Sequence, residues 1–468
     1  MKVLLAASEV APIVKIGGLG DVIGSLPKAL EIIGINADVI VPFYPVAKVE
    51  KLKLIKSLEL NIPFDNGNHV VEVIKTKLPD SNVDVLLLKN SEYFSPGGSN
   101  AFLNNPSETE LFSFFSRAVV EYIKAEFNTY DLIHCHDWHT GLITHILQEE
   151  LGRDRPATLF TIHNLFYQGK GEVELVKELG FSPGSHPLID YDIKDGDINL
   201  LYQGVTSSDY VSTVSETYAE EIKTKEFGDE MAEILIARKD KLTGILNGID
   251  YSFFPRDYDI KNWKDKKKKH KDELKKMLKL KDSKKPLFSF VSRLDPGQKG
   301  LDILYVSLQH IMQMGGQFVL LGTGDPAWEK KFRDLGNERK FKSNMSINIE
   351  FSVDLANKIY SGSDYFFVPS RYEPCGLTQM IAMHYGTPPV VRAVGGLKDT
   401  VDDGVNGYVF KKYTSIDLNK AIDSAFKTYE DENEYSSMVE AALNEDFSWT
   451  KSAEKYAKLY EDIISSRS

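Results

Sequence analysis

Short β-rich apolar runs alternate along the chain with longer amphipathic stretches. In the first half the runs are residues 3–7, 39–43, 83–88, 132–135, 158–162 and 210–214. Such alternation predicts a parallel sheet wrapped by helices. After a change in composition the rhythm restarts at residues 287–291, 318–321, 347–351, 366–368 and 389–391. The pattern therefore predicts an α/β protein with two doubly wound lobes. Between them, Asn247-Gly248-Ile249-Asp250 supplies turn chemistry and places the crossing near residue 248. A lysine-rich stretch follows at 261–285, including Lys266-Lys267-Lys268-Lys269. It is read as the solvated face of a short helix rather than as an anionic contact.

Composition narrows the classes. A chain of 468 residues exceeds one ordinary core, and 42% hydrophobic with 26% charged residues describes a globular protein. The formal charge of -12 argues against a general affinity for nucleic acid, so an anionic substrate needs a local basic pocket. Cys135 and Cys375 are the two cysteines, which gives no disulfide framework and points to a reducing compartment. The apolar start is cut short at Glu9 and no run reaches membrane-spanning length, so a cytoplasmic location with no membrane partner is expected.

In open α/β sheets ligands bind beyond the carboxyl ends of strands, so chemistry is sought there. The first strand leads into Lys15-Ile16-Gly17-Gly18-Leu19-Gly20-Asp21, with a helix expected from residue 22 to 33. Glycines let backbone N–H groups approach a diphosphate, and a lysine adds a full charge. The spacing matches neither the dinucleotide fingerprint, because Ile23 stands where the last glycine belongs, nor a Walker loop. His134-Cys135-His136-Asp137-Trp138-His139 invites a metal, but a carboxylate beside an indole suits a sugar better. His163, with Asn164, ends the next strand. In the second lobe, Arg293 and Lys299 follow a strand as a candidate diphosphate clamp. Residues 369–378 follow another, where Glu373 suits sugar hydroxyls and the helix start suits phosphate; no partner set supports Cys375 as a nucleophile.

Taken in order, these segments, with Gly244 to Asp250, Gly395-Gly396-Leu397-Lys398-Asp399-Thr400 and Asp446-Phe447-Ser448-Trp449, resemble the bacterial glycogen synthase and plant starch synthase family. The resemblance spans nearly the whole chain. It implies the GT-B architecture, two Rossmann-like lobes facing each other across a deep cleft: residues 1–247 on the acceptor side, 248–445 binding the nucleotide sugar, and 446–468 as a helix returning to the first lobe. It implies a hexosyltransferase moving glucose from ADP-glucose, or from UDP-glucose, onto the non-reducing end of an α-1,4-glucan with retention. No metal and no cofactor are expected.

By the same resemblance, Lys15, His163, Arg293, Lys299 and Glu373 are the catalytic set. Lys15, Gly17, Gly18, Asn247, Arg293, Lys299, Glu373, Cys375, Gly376, Leu377 and Thr378 bind the nucleotide sugar, and Asp21, Tyr93, Asp137 and Asn164 line the acceptor and sugar channel. Ile16 departs from the threonine usual in the family, and Ser95 to Asn100 fits its pattern loosely. The competing readings are a GT-B transferase with a small acceptor and a glycogen-binding protein with a decayed site. The retained charged set counts against the second.

Overall fold

The computed structural model describes residues 1–94, 108–181, 184 and 186–467; the segment 95–100 singled out above lies outside them. The chain divides into two compact units. The first holds Met1–Val214, Ala219–Gly248 and Trp449–Ser468, and the second holds Ser215–Tyr218 and Ile249–Ser448. Among the described residues no helix is long and apolar enough to cross a membrane.

In the first unit the strands are β1 (Lys2–Ala6), β2 (Asn36–Pro42), β3 (Ile55–Phe64), β4 (Gly67–Lys77), β5 (Asp84–Lys89), β6 (Leu132–His136), β7 (Ala157–Ile162), β8 (Lys170–Glu172), β9 (Asp197–Asn199), β10 (Tyr210–Thr213) and β11 (Leu242–Gly244). Nine form one sheet in the order β11-β10-β7-β6-β1-β2-β5-β4-β3, and β8 pairs with β9 apart from it. From β11 to β5 every pairing is parallel, and β6 and β7 are buried along their whole length. The apolar runs of the sequence are these strands, whose two faces are both covered. The antiparallel hairpin β3–β4 was not anticipated. Asp65 and Asn66, with φ of 46° and 55°, turn it tightly ahead of Gly67. A two-residue turn with both φ positive matches the twist of paired strands.

The helix Trp449–Arg467, last in the chain, belongs to this first unit. Tyr460 is fully buried, and its hydroxyl lies 2.8 Å from His134 Nδ1 on β6. Ser452 donates to the Leu246 carbonyl at 2.6 Å, and Arg467 donates to Asp209 at 2.8 Å.

The second unit is a fully parallel sheet of β12 (Leu287–Val291), β13 (Gln317–Leu321), β14 (Met345–Asn348), β15 (Tyr365–Val368), β16 (Pro389–Arg392) and β17 (Tyr408–Phe410), ordered β14-β13-β12-β15-β16-β17. Phe288 stacks on Phe367 at 5.2 Å within a core that includes Leu304, Leu308 and Ile422. The strand expected at 347–351 ends at Asn348, and Phe351 beyond it is 88% exposed.

The lysine-rich stretch corrects the sequence reading. It forms the helix Trp263–Met277, but Lys267 and Lys275 are buried. Lys267 Nζ donates to the carbonyls of Ser361, Ser363 and Tyr385 and, at 2.6 Å, to Thr387 Oγ1. Burial pushes its pKa down to about 7. Lys271 pairs with Asp364, whose carboxylate also accepts the Leu287 N–H at the start of β12. One face of this helix is thus clamped to the sheet by hydrogen bonds that satisfy otherwise costly buried ammonium groups.

Candidate active site

The parallel part of each main sheet has one place where strand order reverses. In the first unit it lies at β1, between β2 and β6; in the second it lies between β12 and β15. Loops leaving neighbouring strands in opposite directions open a crevice at such a point, at the carboxyl ends. Lys15 to Asp21 follow β1 and Asp137 follows β6, and in the second unit Arg293 and Lys299 follow β12 and Glu373 to Thr378 follow β15; His163 and Asn164 follow β7, Tyr93 follows β5 and Asn247 follows β11.

In the first unit, the segment after β1 enters the helix Gly18–Ile32, which starts four residues earlier than expected. Gly17 is therefore the N-cap, and Gly18 and Gly20 lie in the first turn rather than in a loop. The backbone N–H groups of Ile16 and Gly17 are held by the Glu9 carboxylate, at 2.9 Å for the Gly17 bond. In the sequence Glu9 does no more than end an apolar run. The residue is 4% exposed, a burial that no sequence pattern announces. Burial raises its pKa, opposed by the N–H groups of Gly17 and Ile16. A side chain at Gly20 would place Cβ 2.8 Å from Glu9 Oε2, which explains the glycine there. Lys15 Nζ pairs with Asp21 at 2.7 Å, both partly exposed.

After β6, Asp137 adopts a left-handed backbone, φ 58° and ψ 177°, a conformation that costs about 1–3 kcal/mol and persists only when its surroundings fix it. Its own N–H reaches the Thr161 carbonyl at 2.9 Å, and its carboxylate accepts the His163 N–H at 2.7 Å. The Asn164 N–H points to the same oxygen at 3.4 Å. Burial pushes the Asp137 pKa up to about 7, and Glu9 adds to the rise. His163 Nε2 lies 2.9 Å from His136 Nδ1, so one ring donates to the other and both are neutral; burial takes His163 down to about 3. His134, its ring centred 3.9 Å from that of His136 and tilted by 37°, continues the network through Thr161 Oγ1 to Ser212 Oγ. His134 thus uses both of its ring nitrogens and His136 uses Nδ1 on His163, while His136 Nε2 is buried without a hydrogen-bond partner.

Asn247, three residues past β11, is buried, and its side-chain oxygen has no hydrogen-bond partner. Tyr93 follows β5, but its ring stacks on Phe114 at 3.9 Å and meets His69 edge-on, so packing uses much of it. Phe166 and Tyr167, which the sequence reading passed over, are about half exposed. With Trp138, Gln168, Lys170 and Glu230 they line a cavity of about 610 Å³.

In the second unit Arg293 stands two residues past β12 and is exposed, while Lys299 Nζ sits 2.8 and 3.1 Å from the Glu373 carboxylate beyond β15. Ser370 Oγ donates to the same carboxylate at 2.8 Å. Gly300 holds the two loops together: its φ is 68°, and a Cβ there would lie 2.0 Å from the Pro369 carbonyl oxygen. Gly395 does the same for a third loop, its backbone lying against the Glu373 carbonyl. Cys375 is buried; Gly376, with φ 72°, and Leu377 lead into the helix Thr378–His384. Gln379 ties down the carbonyls of Cys375 and Gly376.

Residues 2–237 match the family described as the starch synthase catalytic domain, and 271–444 match glycosyl transferases group 1. A glycogen synthase of Pseudothermotoga lettingae is 40% identical over 99% of both chains, and one of Kosmotoga olearia is 40% identical over 100% of this chain and 98% of its own. The chain belongs to the glycogen and starch synthase family of glycosyltransferases. Among solved structures, the catalytic domain of starch synthase IV from Arabidopsis thaliana, bound to ADP and acarbose, superposes with a TM-score of 0.87 at 30% identity, covering 99% of each chain. A sucrose-phosphate synthase from Thermosynechococcus elongatus, TM-score 0.62 at 19% identity, shares the fold. The two main sheets therefore belong to the two Rossmann-like domains of a GT-B synthase. Within each, the fold gathers the synthase motifs at the reversal point, except Tyr93, held in an aromatic cluster, and Asn247, reached from the sheet edge at β11.

Proposed function

We propose that this synthase transfers glucose from ADP-glucose to the non-reducing end of an α-1,4-glucan with retention of configuration. The observation that carries the reading is the Lys299–Glu373 pair, 74 residues apart in sequence and joined at 2.8 Å where β12 and β15 end. A cation beside a carboxylate suits a substrate whose diphosphate adjoins a ring of hydroxyls. Residues 248–445 would bind the nucleotide sugar, 1–247 would receive the glucan, and 446–468 would complete the first lobe.

In this reading the bond from C1 to the diphosphate oxygen breaks, leaving an oxocarbenium-like sugar and nucleoside diphosphate. Lys15, Arg293 and Lys299 supply positive charge to the departing phosphates, with the backbone at Gly17, Gly18 and Cys375 to Thr378 beside them. Lys15 exchanges Asp21 for phosphate. The acceptor hydroxyl attacks the same face of C1, and its proton passes to the leaving phosphate. Glu373 holds sugar hydroxyls rather than attacking. His163, neutral because buried, contacts the transferred glucose without bringing a charge toward the cationic centre. Asp21, Asp137, Asn164 and Asn247 take hydroxyl hydrogen bonds, Tyr93 offers its ring edge, and exposed Phe166 and Tyr167 add stacking surface for a glucan.

The test is incorporation of radiolabel from ADP-glucose into glycogen, with UDP-glucose in parallel. Label enters the polymer and ADP appears only with a primer present. No incorporation from either donor sinks the proposal, and release of ADP without primer would mark a hydrolase.

A further inference from the structure

We propose that the first unit contains a zinc-class metal site formed by His145, Glu149 and His186, apart from the residues assigned to glucosyl transfer. No metal is expected from the sequence, where His134 and His136 share a strand face that packing also needs and no matching ligand set appears elsewhere. His145 and Glu149 lie four residues apart on the helix Gly141–Leu151, so they share one face. His186 arrives immediately before the helix Pro187–Asp192. One ligand atom from each of the three lies within 4.8 Å of the others.

A further observation points to a ligand. His145 is 1% exposed, and its Nε2 is buried with no hydrogen-bond partner. Its Nδ1 lies 3.2 Å from Ser207 Oγ. Donation from Nδ1–H to that hydroxyl leaves the lone pair on Nε2, the arrangement by which an outer partner fixes the tautomer of a ligating imidazole. On the other side, His186 Nδ1 and Glu149 Oε2 already meet at 3.0 Å. Phe181 packs edge-on to His145 at 5.4 Å and against His186 at 4.5 Å, giving the three groups an apolar wall. Two imidazoles and one carboxylate suit zinc, cobalt or nickel rather than calcium or magnesium, which prefer all-oxygen donors. The ion would fasten the segment around residue 186 to the helix that covers the sheet.

The experiment uses the whole chain after dialysis against chelator, titrated with Co²⁺ and then Zn²⁺. One Co²⁺ per chain is expected, with the visible absorption of a low-coordinate site that Zn²⁺ abolishes, and Zn²⁺ raises the melting temperature. His186→Ala and Glu149→Gln each weaken uptake by about tenfold or more and remove the Zn²⁺-dependent rise, while glucosyl transfer without added metal stays at the parental rate. These two variants carry the test because His145 is in the core. Absence of saturable uptake by the parent, or undiminished uptake by either variant, overturns the proposal.

Discussion

Replacing Lys299 by alanine removes the cation from a pair whose side chains are 15% and 9% exposed. At 2.8 Å and an effective dielectric of about 20, the bare attraction is about 6 kcal/mol. Much of it is offset by desolvation of both groups, and deleting one partner of such a pair costs about 3–5 kcal/mol. Ser370 still donates to the stranded Glu373 carboxylate, so the lower end applies, about 3 kcal/mol. Urea titration monitored by hydrogen exchange in residues 287–300 and 365–373 reads the loss locally, without assuming that both units unfold together. Adding Glu373→Gln to Lys299→Ala removes the orphaned charge and should return about 2 kcal/mol, seen as a coupling energy in the double-mutant cycle. In transfer assays Lys299→Ala lowers kcat/KM by about 10²–10³, the usual loss for one preorganised electrostatic contact to developing charge. A stability change below about 0.5 kcal/mol, or two strictly additive substitutions, refutes the ion-pair argument.

Glu9→Gln weakens two charge-assisted bonds to Ile16 and Gly17 by about 1 kcal/mol each, so initial rates of label incorporation should drop about 30-fold in kcat/KM; parental rates would show that Glu9 does not shape the Lys15 segment. Gly300→Ala sets a Cβ against the Pro369 carbonyl at a positive φ, and a loss of more than about 2 kcal/mol in urea unfolding is expected; a variant of parental stability rejects that packing. For Asp209, burial alone would raise the pKa, but Arg155, Arg467 and the Thr158 N–H outweigh it and hold the carboxyl well below its usual range. Its stabilisation is complete above the unfolded value of about 3.9 and is lost as pH falls below it. The melting-temperature gap between the parent and Asp209→Asn should therefore shrink from pH 5 toward pH 2, and a constant gap would count against the network.

Alternation of apolar runs made both sheets legible, because strands buried on two faces must be almost continuously hydrophobic. The hairpin β3–β4 escaped that rule: β3 is exposed over much of its length, and only Asp65-Asn66-Gly67 signalled it. The buried lysines were illegible for another reason. The oxygens that receive Lys267 come from residues 361, 363, 385 and 387, which periodicity cannot bring together. Site residues on strand ends were readable from their positions, whereas Glu9 required knowing that the chain folds back to present two N–H groups to it. The grouping of His145, Glu149 and His186 likewise depends on tertiary contact.

The membership of residues 449–467 in the first unit has a consequence for the order of biosynthesis. A ribosome delivers β1 to β11 early, yet His134 lacks Tyr460, Leu246 lacks Ser452 and Asp209 lacks Arg467 until the final helix emerges. The second unit, made later, has all its strands by residue 410. Vectorial folding is thus inverted between the two units: the lobe begun first is completed after the second, and a ribosome that stalls within residues 449–467 leaves the older domain incomplete.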